Sequence, residues 1–354
     1  MKNPFSNMIT IYKPQELLDI AFKRSSKINV TFLPKTPDII KAKKRELTRI
    51  GNVTDQLIEK LTQMVKTFPS FDNIHPFYYD LASVLVNLDQ FKQIIASLSG
   101  TIRILKRLHQ EHFNRIRKAQ VPTDAAETRK AFYGRVSSVI GRLESKLDFL
   151  RGQRDKFRKL PTVSLDSFTI VVAGYPNVGK SSLVLAISTA KPEVSYYPFT
   201  TRNLIVGHRI LDEEDPFSLK IQILDTPGLL DRPLSERNSI ELQAIVALKH
   251  LANVIVFMID PSESCGYLIS NQLHLLKEIF TTFPNIPIII NLNKIDLTRD
   301  EQITQAKKEI QAIFTNKEAV ILETIATQRI GVDNIFNTTM QYYKPNLQET
   351  PSEF

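Results

Sequence analysis

The octapeptide GYPNVGKS at 174–181 constrains this 354-residue chain more than any other feature. It satisfies G-x-x-x-x-G-K-[ST] and stands between an apolar run, FTIVVAG, and a helical stretch that begins near Lys180. Strand, glycine loop and helix in that order turn backbone amides and a helix N-terminus toward an anion, as in sheets wound with helices on both faces. Gly174 and Gly179 let the backbone approach phosphates, with Val178 inside the loop. Lys180 brings a point charge to the β- and γ-phosphates, and the Ser181 hydroxyl is a ligand for Mg2+.

The chain beyond the loop fits such a sheet. Six short β-rich runs, at 168–174, 203–211, 218–225, 253–260, 286–293 and 319–323, alternate with helical stretches starting near Lys180, Ile240, Leu268, Glu301 and Val332. The alternation predicts a six-stranded, mostly parallel α/β domain over 161–344, with 345–354 a flexible tail. DTPG at 225–228 ends the third run, where Asp225 can serve the Mg2+ shell through water and the Gly228 amide can meet a γ-phosphate. NKID at 293–296 selects the base. The Asp296 carboxylate can accept from guanine N1–H and the 2-amino group together, donors that adenine does not offer at those positions, so Asp296 opposes an ATPase or kinase. Asn293 would brace the loop and Lys294 lie along the ring. Between loop and DTPG, SYYPFTTRN supplies a switch threonine that would complete Mg2+ coordination only with a γ-phosphate present; Thr201 is the first candidate and Thr200 the reserve.

The first half differs in kind. It has only Gly51 and Gly100 before position 134, and its apolar residues recur at three and four. Helices are expected over 14–28, 38–68, 76–119 and 124–160, forming a bundle over 1–160. Residues 1–160 hold 30 Lys and Arg against 15 Asp and Glu, whereas the remainder holds 16 against 22. The net +9 is therefore a basic domain joined to an acidic one. Basic residues cluster at Lys41, Lys43, Lys44, Arg45 and Arg49; at Arg103, Lys106, Arg107, Arg115, Arg117 and Lys118; and at Arg151, Arg154, Lys156, Arg158 and Lys159. Three such runs without acidic compensation predict RNA as partner. Cys265 is the only cysteine, which excludes an internal disulfide and suits a reducing compartment; a small buried filler is its expected role. The apolar runs are far below membrane-spanning length, so a cytoplasmic chain with no membrane partner is expected, monomeric when free.

GYPNVGKS, YPFTTRN, DTPGLLDRPLSERNSIELQAIVALKHL, DPSESCGY and NKID, preceded by a basic helical domain, resemble the NOG-type nucleolar GTP-binding proteins of the Obg-related GTPases. With no long extension after the GTPase domain, the chain looks like a compact archaeal-type member. The resemblance implies binding and hydrolysis of GTP, GDP as product, and association with large ribosomal subunit precursors, ribosomal RNA and ribosomal proteins. It assigns Gly174, Asn177, Gly179, Lys180, Ser181 and Ser182 to the phosphates, Thr201 to the first switch, Asp225 and Gly228 to the second, and Asn293, Lys294 and Asp296 to the base. The pair usually read as Ser-Ala or Ser-Cys in the last base-contacting box is Ile325-Ala326 here, leaving the Ala326 amide as the available donor.

Position 229 is Leu where Ras-like enzymes carry a water-orienting glutamine. Slow intrinsic hydrolysis is therefore expected, raised by a partner or by K+. Asn177 is a candidate K+ ligand or a loop brace. A pre-ribosome placeholder that binds GTP and RNA with negligible turnover is the other reading that Leu229 allows.

Overall fold

The computed structural model describes residues 3–189, 191–195, 197, 204–211, 218–228, 230–314 and 319–343. It contains two compact units: residues 4–73 with 85–158, and residues 1–3 with 74–84 and 159–354.

The first unit is helical. Its helices are α1 (Pro14–Ser26), α2 (Asp38–Lys66), α4 (Leu88–Lys118), α5 (Pro122–Gly141) and α6 (Glu144–Arg158), while α3 (Pro76–Leu85) lies almost wholly in the second unit. In α2, Ile50, Val53, Leu57, Leu61 and Met64 recur at three or four and are all buried. Leu98, Thr101, Leu105, Leu108, His112 and Ile116 of α4 and Phe132, Val136 and Ile140 of α5 do likewise. Phe5 stacks on Phe157 at 4.8 Å between ring centroids, and Phe71 meets Phe91 edge-on at 5.4 Å.

Two expected helices are each broken. The periodicity predicts one helix from 76 to 119, but the Asn87 side chain accepts from the Gln90 amide at 3.0 Å and caps a new helix. The segment from 124 to 160 breaks after Gly141, where the Arg142 amide bonds back to Ser138 O at 3.3 Å and the Leu143 amide to Ile140 O at 3.0 Å.

The second unit is a seven-stranded sheet in the order β2-β3-β4-β1-β5-β6-β7. Its strands are β1 (Thr169–Ala173), β2 (Glu193–Ser195), β3 (Leu204–Ile210), β4 (Lys220–Asp225), β5 (Val254–Ile259), β6 (Ile288–Asn293) and β7 (Val320–Thr324). Six strands match the β-rich runs; β2, three residues long and antiparallel to β3, is the addition that corrects the expected six. β3 and β4 are antiparallel as well, and the four remaining pairs are parallel. Every residue of β1, β5 and β6 is buried, as befits central strands covered on both faces. The remaining helices are α7 (Lys180–Ile187), α8 (Ser239–Ala247), α9 (Ile269–Thr282), α10 (Asp300–Ile313) and α11 (Val332–Met340).

Because β4, β1, β5, β6 and β7 run parallel, the loops after them gather at one edge of the sheet, where α/β folds bind ligands. Among the described residues, no helix is long and apolar enough to cross a membrane.

Candidate functional site

The loop after β1 is shaped by two glycines. Gly174 (φ 133°) would drive a Cβ into the Met258 carbonyl, and Gly179 (φ 106°) would drive one into the Asn293 side-chain amide. Asn177 takes a left-handed conformation between them (φ 62°). α7 starts at Lys180 and buries Leu183, Val184 and Ile187. The Lys180 ammonium, 6% exposed, donates to Gly174 O at 2.7 Å and Tyr175 O at 2.8 Å, so its charge stays within the loop.

Ser181 Oγ donates to Asp225 Oδ2 at 2.5 Å. Asp225 ends β4 in register with Val172 of β1, which sets the carboxylate beside the loop. Burial raises its pKa, opposed by the Ser181 bond and the Lys180 charge. Its Oδ1 is buried without a hydrogen-bond partner among the described residues. A hydroxyl beside a carboxylate with an unused oxygen is a hard-oxygen donor set that fits Mg2+. Thr200, Thr201 and Leu229 lie outside the described residues.

On the base side, Asn293 joins three segments. Its Nδ2 donates to Val178 O at 2.8 Å, and its Oδ1 accepts from Thr324 Oγ1 and the Ala326 amide, both at 3.0 Å. The Ala326 amide, expected at the base, is thus donated to Asn293 in this structure. Lys294 adopts φ 61° and its Nζ donates to Asp260 Oδ2 at 2.8 Å and Ser264 Oγ at 3.0 Å. Asp296 is exposed in the short turn 295–297.

These groups surround one cleft of about 530 Å3. Asn177, Gly179, Lys180, Ser181, Ser182, Asn293, Lys294, Asp296 and Ala326 line it. Gly174, Val178 and Asp225 form the buried layer behind, and Gly228 borders an adjoining cleft of about 510 Å3. Asp231, Ser264, Leu297 and Thr327 also line the first cleft and were given no role from the sequence, although Asp231 and Ser264 lie within the DTPGLLDRPL and DPSESCGY segments. Asp260 is the second omission. Completely buried at the end of β5, it accepts from Ser262, Ser264, Cys265 and Lys294. Only the DPSESCGY segment hinted at it. Cys265 is buried, and burial pushes its thiol pKa up.

In the basic half, the expectation of cationic runs without acidic compensation needs correction. Glu46, buried in α2, pairs with Arg45 at 3.4 Å, Arg49 at 3.1 Å and Arg129 at 2.5 Å. Arg115 pairs with Glu111, Arg151 with Asp148 and Arg154 with Asp155. Arg103, Lys106, Arg107, Lys118, Lys156, Arg158 and Lys159 are exposed and have no acidic partner among the described residues.

A family model described as the NOG1 N-terminal helical domain matches residues 5–164, and one described as nucleolar GTP-binding protein 1 (NOG1) matches residues 239–296. An uncharacterized protein of Methanocaldococcus jannaschii is 40% identical over 302 residues, covering 85% of this chain and 83% of its own. Nucleolar GTP-binding protein 1 of Drosophila melanogaster is 32% identical over 329 residues, covering 93% of this chain and 50% of its own. The chain spans about half the length of the curated nucleolar GTP-binding relatives it matches. A solved Plasmodium falciparum structure carrying the same family name aligns over 52% of this chain and 89% of its own, at 36% identity and a TM-score of 0.44.

Proposed function

Because this chain belongs to the NOG1 family of GTP-binding proteins, we propose that it is a GTPase whose nucleotide state governs docking of its basic helices on large-subunit ribosomal RNA during subunit assembly. The observation that carries the nucleotide part is the convergence on one cleft of the phosphate loop, Ser181 beside Asp225, and Lys294 with Asp296. Loop amides and Lys180 would cradle the phosphates, and Asp296 would accept from the guanine edge. Ser181, Asp225 and Thr201 would hold Mg2+, which supplies positive charge at the β- and γ-phosphate oxygens when bound. Asn177, at the cleft wall, is the residue that a K+ effect would involve; turnover equal in KCl and NaCl would remove that role.

The ribosomal part rests on the names of the relatives and on exposed cations such as Arg103, Lys106 and Arg107, which suit a polyanion. Cytoplasmic action belongs to the same proposal. Leu229 favours a second reading, the placeholder with negligible turnover. Single-turnover assays with and without large subunits separate the two: the GTPase is stimulated, the placeholder is not. Base reading is tested with Asp296→Asn, which should weaken GTP binding by about a hundredfold and bind the xanthosine nucleotide in its place. Unchanged preference for GTP would refute the role of Asp296.

A further inference from the structure

The Gly228 amide, the donor that a γ-phosphate would meet, already has an acceptor within the chain: it donates to Asp231 Oδ2 at 2.6 Å. Asp231 is 7% exposed and lines the nucleotide cleft, so an anionic oxygen of the protein sits at that donor. Arg237 holds the arrangement. Its Nη2 donates to Asp231 Oδ1 at 3.1 Å and its Nη1 to the Gly228 carbonyl at 2.6 Å, so one guanidinium clasps Gly228 and Asp231 together. Arg237 is itself fixed between the short turn 234–236, whose Leu234 amide donates to Glu278 Oε2 at 2.5 Å, and α8, which Asn238 and Glu241 cap reciprocally.

A carboxylate and a phosphate present the same kind of acceptor, and an amide has one proton to give. Resting on the GTP reading above, we propose that Asp231 is an internal surrogate for the γ-phosphate and sets the preference between GTP and GDP, with Arg237 as its positioning residue. GDP has no group to compete for the Gly228 amide and leaves the clasp closed. GTP must displace Asp231, a like charge, from that amide. Since Arg237 also holds the Gly228 carbonyl, Asp231 and Gly228 cannot separate without moving or releasing the residue that leads into α8. The clasp thereby lowers apparent GTP affinity by the fraction of molecules in which it is open.

The test is titration of the native chain, Asp231→Asn and Asp231→Ala with GDP and with a non-hydrolysable GTP analogue, Mg2+ present, with circular dichroism reporting the fold. The ratio of analogue to GDP affinity should rise about tenfold in Asp231→Ala and less in Asp231→Asn, which keeps a neutral acceptor. Arg237→Gln should raise the same ratio. If Asp231→Ala leaves Arg237 buried without its carboxylate and does not fold, Asp231→Asn decides alone. A ratio unchanged in the folded variants, or one that falls because Asp231 acts on the γ-phosphate or its water, overturns the proposal. A native chain that binds neither nucleotide refutes the underlying GTP reading.

Discussion

Asp260 determines where Lys294 points, although it belongs to no nucleotide motif. Burial acts to raise its pKa, but bonds from Lys294, Ser262 and Ser264 outweigh burial and hold the carboxyl below its ordinary value. It is therefore ionised at neutral pH and fixes the ammonium at 2.8 Å. Asp260→Asn should weaken guanine nucleotide binding by about tenfold, because Lys294 loses its charged partner. The folded pKa lies below the unfolded value of about 3.9, so the stability Asp260 contributes is present above about pH 4 and disappears as pH falls through the folded value. Urea unfolding of the native chain and the variant should give a constant difference from about pH 5 to 8 that shrinks below about pH 4; a difference that grows on acidification would contradict this. Lys180, Ser181, Asn293 and Asp296 were legible in the sequence because their spacing is part of the chemistry. Asp260 was not, because it meets Lys294 across 34 residues only in the folded chain, and Asp231 and Arg237 were not, because nothing in their spacing shows that both side chains turn back onto Gly228.

At the scale of elements, α3 is the informative case. Helical periodicity made it visible, yet gave no sign that it leaves the other helices for the nucleotide unit. Its contacts explain the change. Phe77 packs near Tyr197 at 6.4 Å between ring centroids, and Tyr78 donates its hydroxyl to Pro161 O at 2.8 Å. Asp80 meets His250 at 3.0 Å. Burial pushes the Tyr78 hydroxyl pKa up to about 12. Tyr197, completely enclosed just before the expected switch threonines, donates to Ala244 O of α8 at 2.7 Å. α3 therefore packs beside Tyr197, in the segment where the sequence places the expected first switch. Phe77→Ala should cost about 3–5 kcal/mol in urea unfolding through the cavity it leaves, and Tyr197→Phe about 1 kcal/mol. Costs below about 1 kcal/mol for Phe77→Ala would mean that α3 is only loosely attached. The breaks at 86–87 and 142–143 escaped the periodicity because apolar spacing continues across them, and β2 escaped it because three residues carry too little pattern.

Across the whole molecule the charge division stands, but its use is narrower than composition implies. Arg45, Arg49 and Arg129 neutralise the buried Glu46 and serve the fold of the helical unit. The cations open to a polyanion are those without such partners, Arg103, Lys106 and Arg107 among them. Arg103→Glu combined with Arg107→Glu should reduce affinity for ribosomal RNA and flatten its salt dependence by about 1 in log–log slope per lost phosphate contact. Arg151→Ala, which removes a residue paired with Asp148, should change both far less. Equal effects from the two substitutions would show that ion pairing does not sort the surface. The central claim, that nucleotide state controls docking on ribosomal RNA, is tested most directly by co-sedimentation of the full chain with large ribosomal subunits over a range of KCl concentrations. The account predicts association with a non-hydrolysable GTP analogue, release with GDP, and steep loss of binding as salt rises. Association that is the same with both nucleotides, or no association with either, would contradict it.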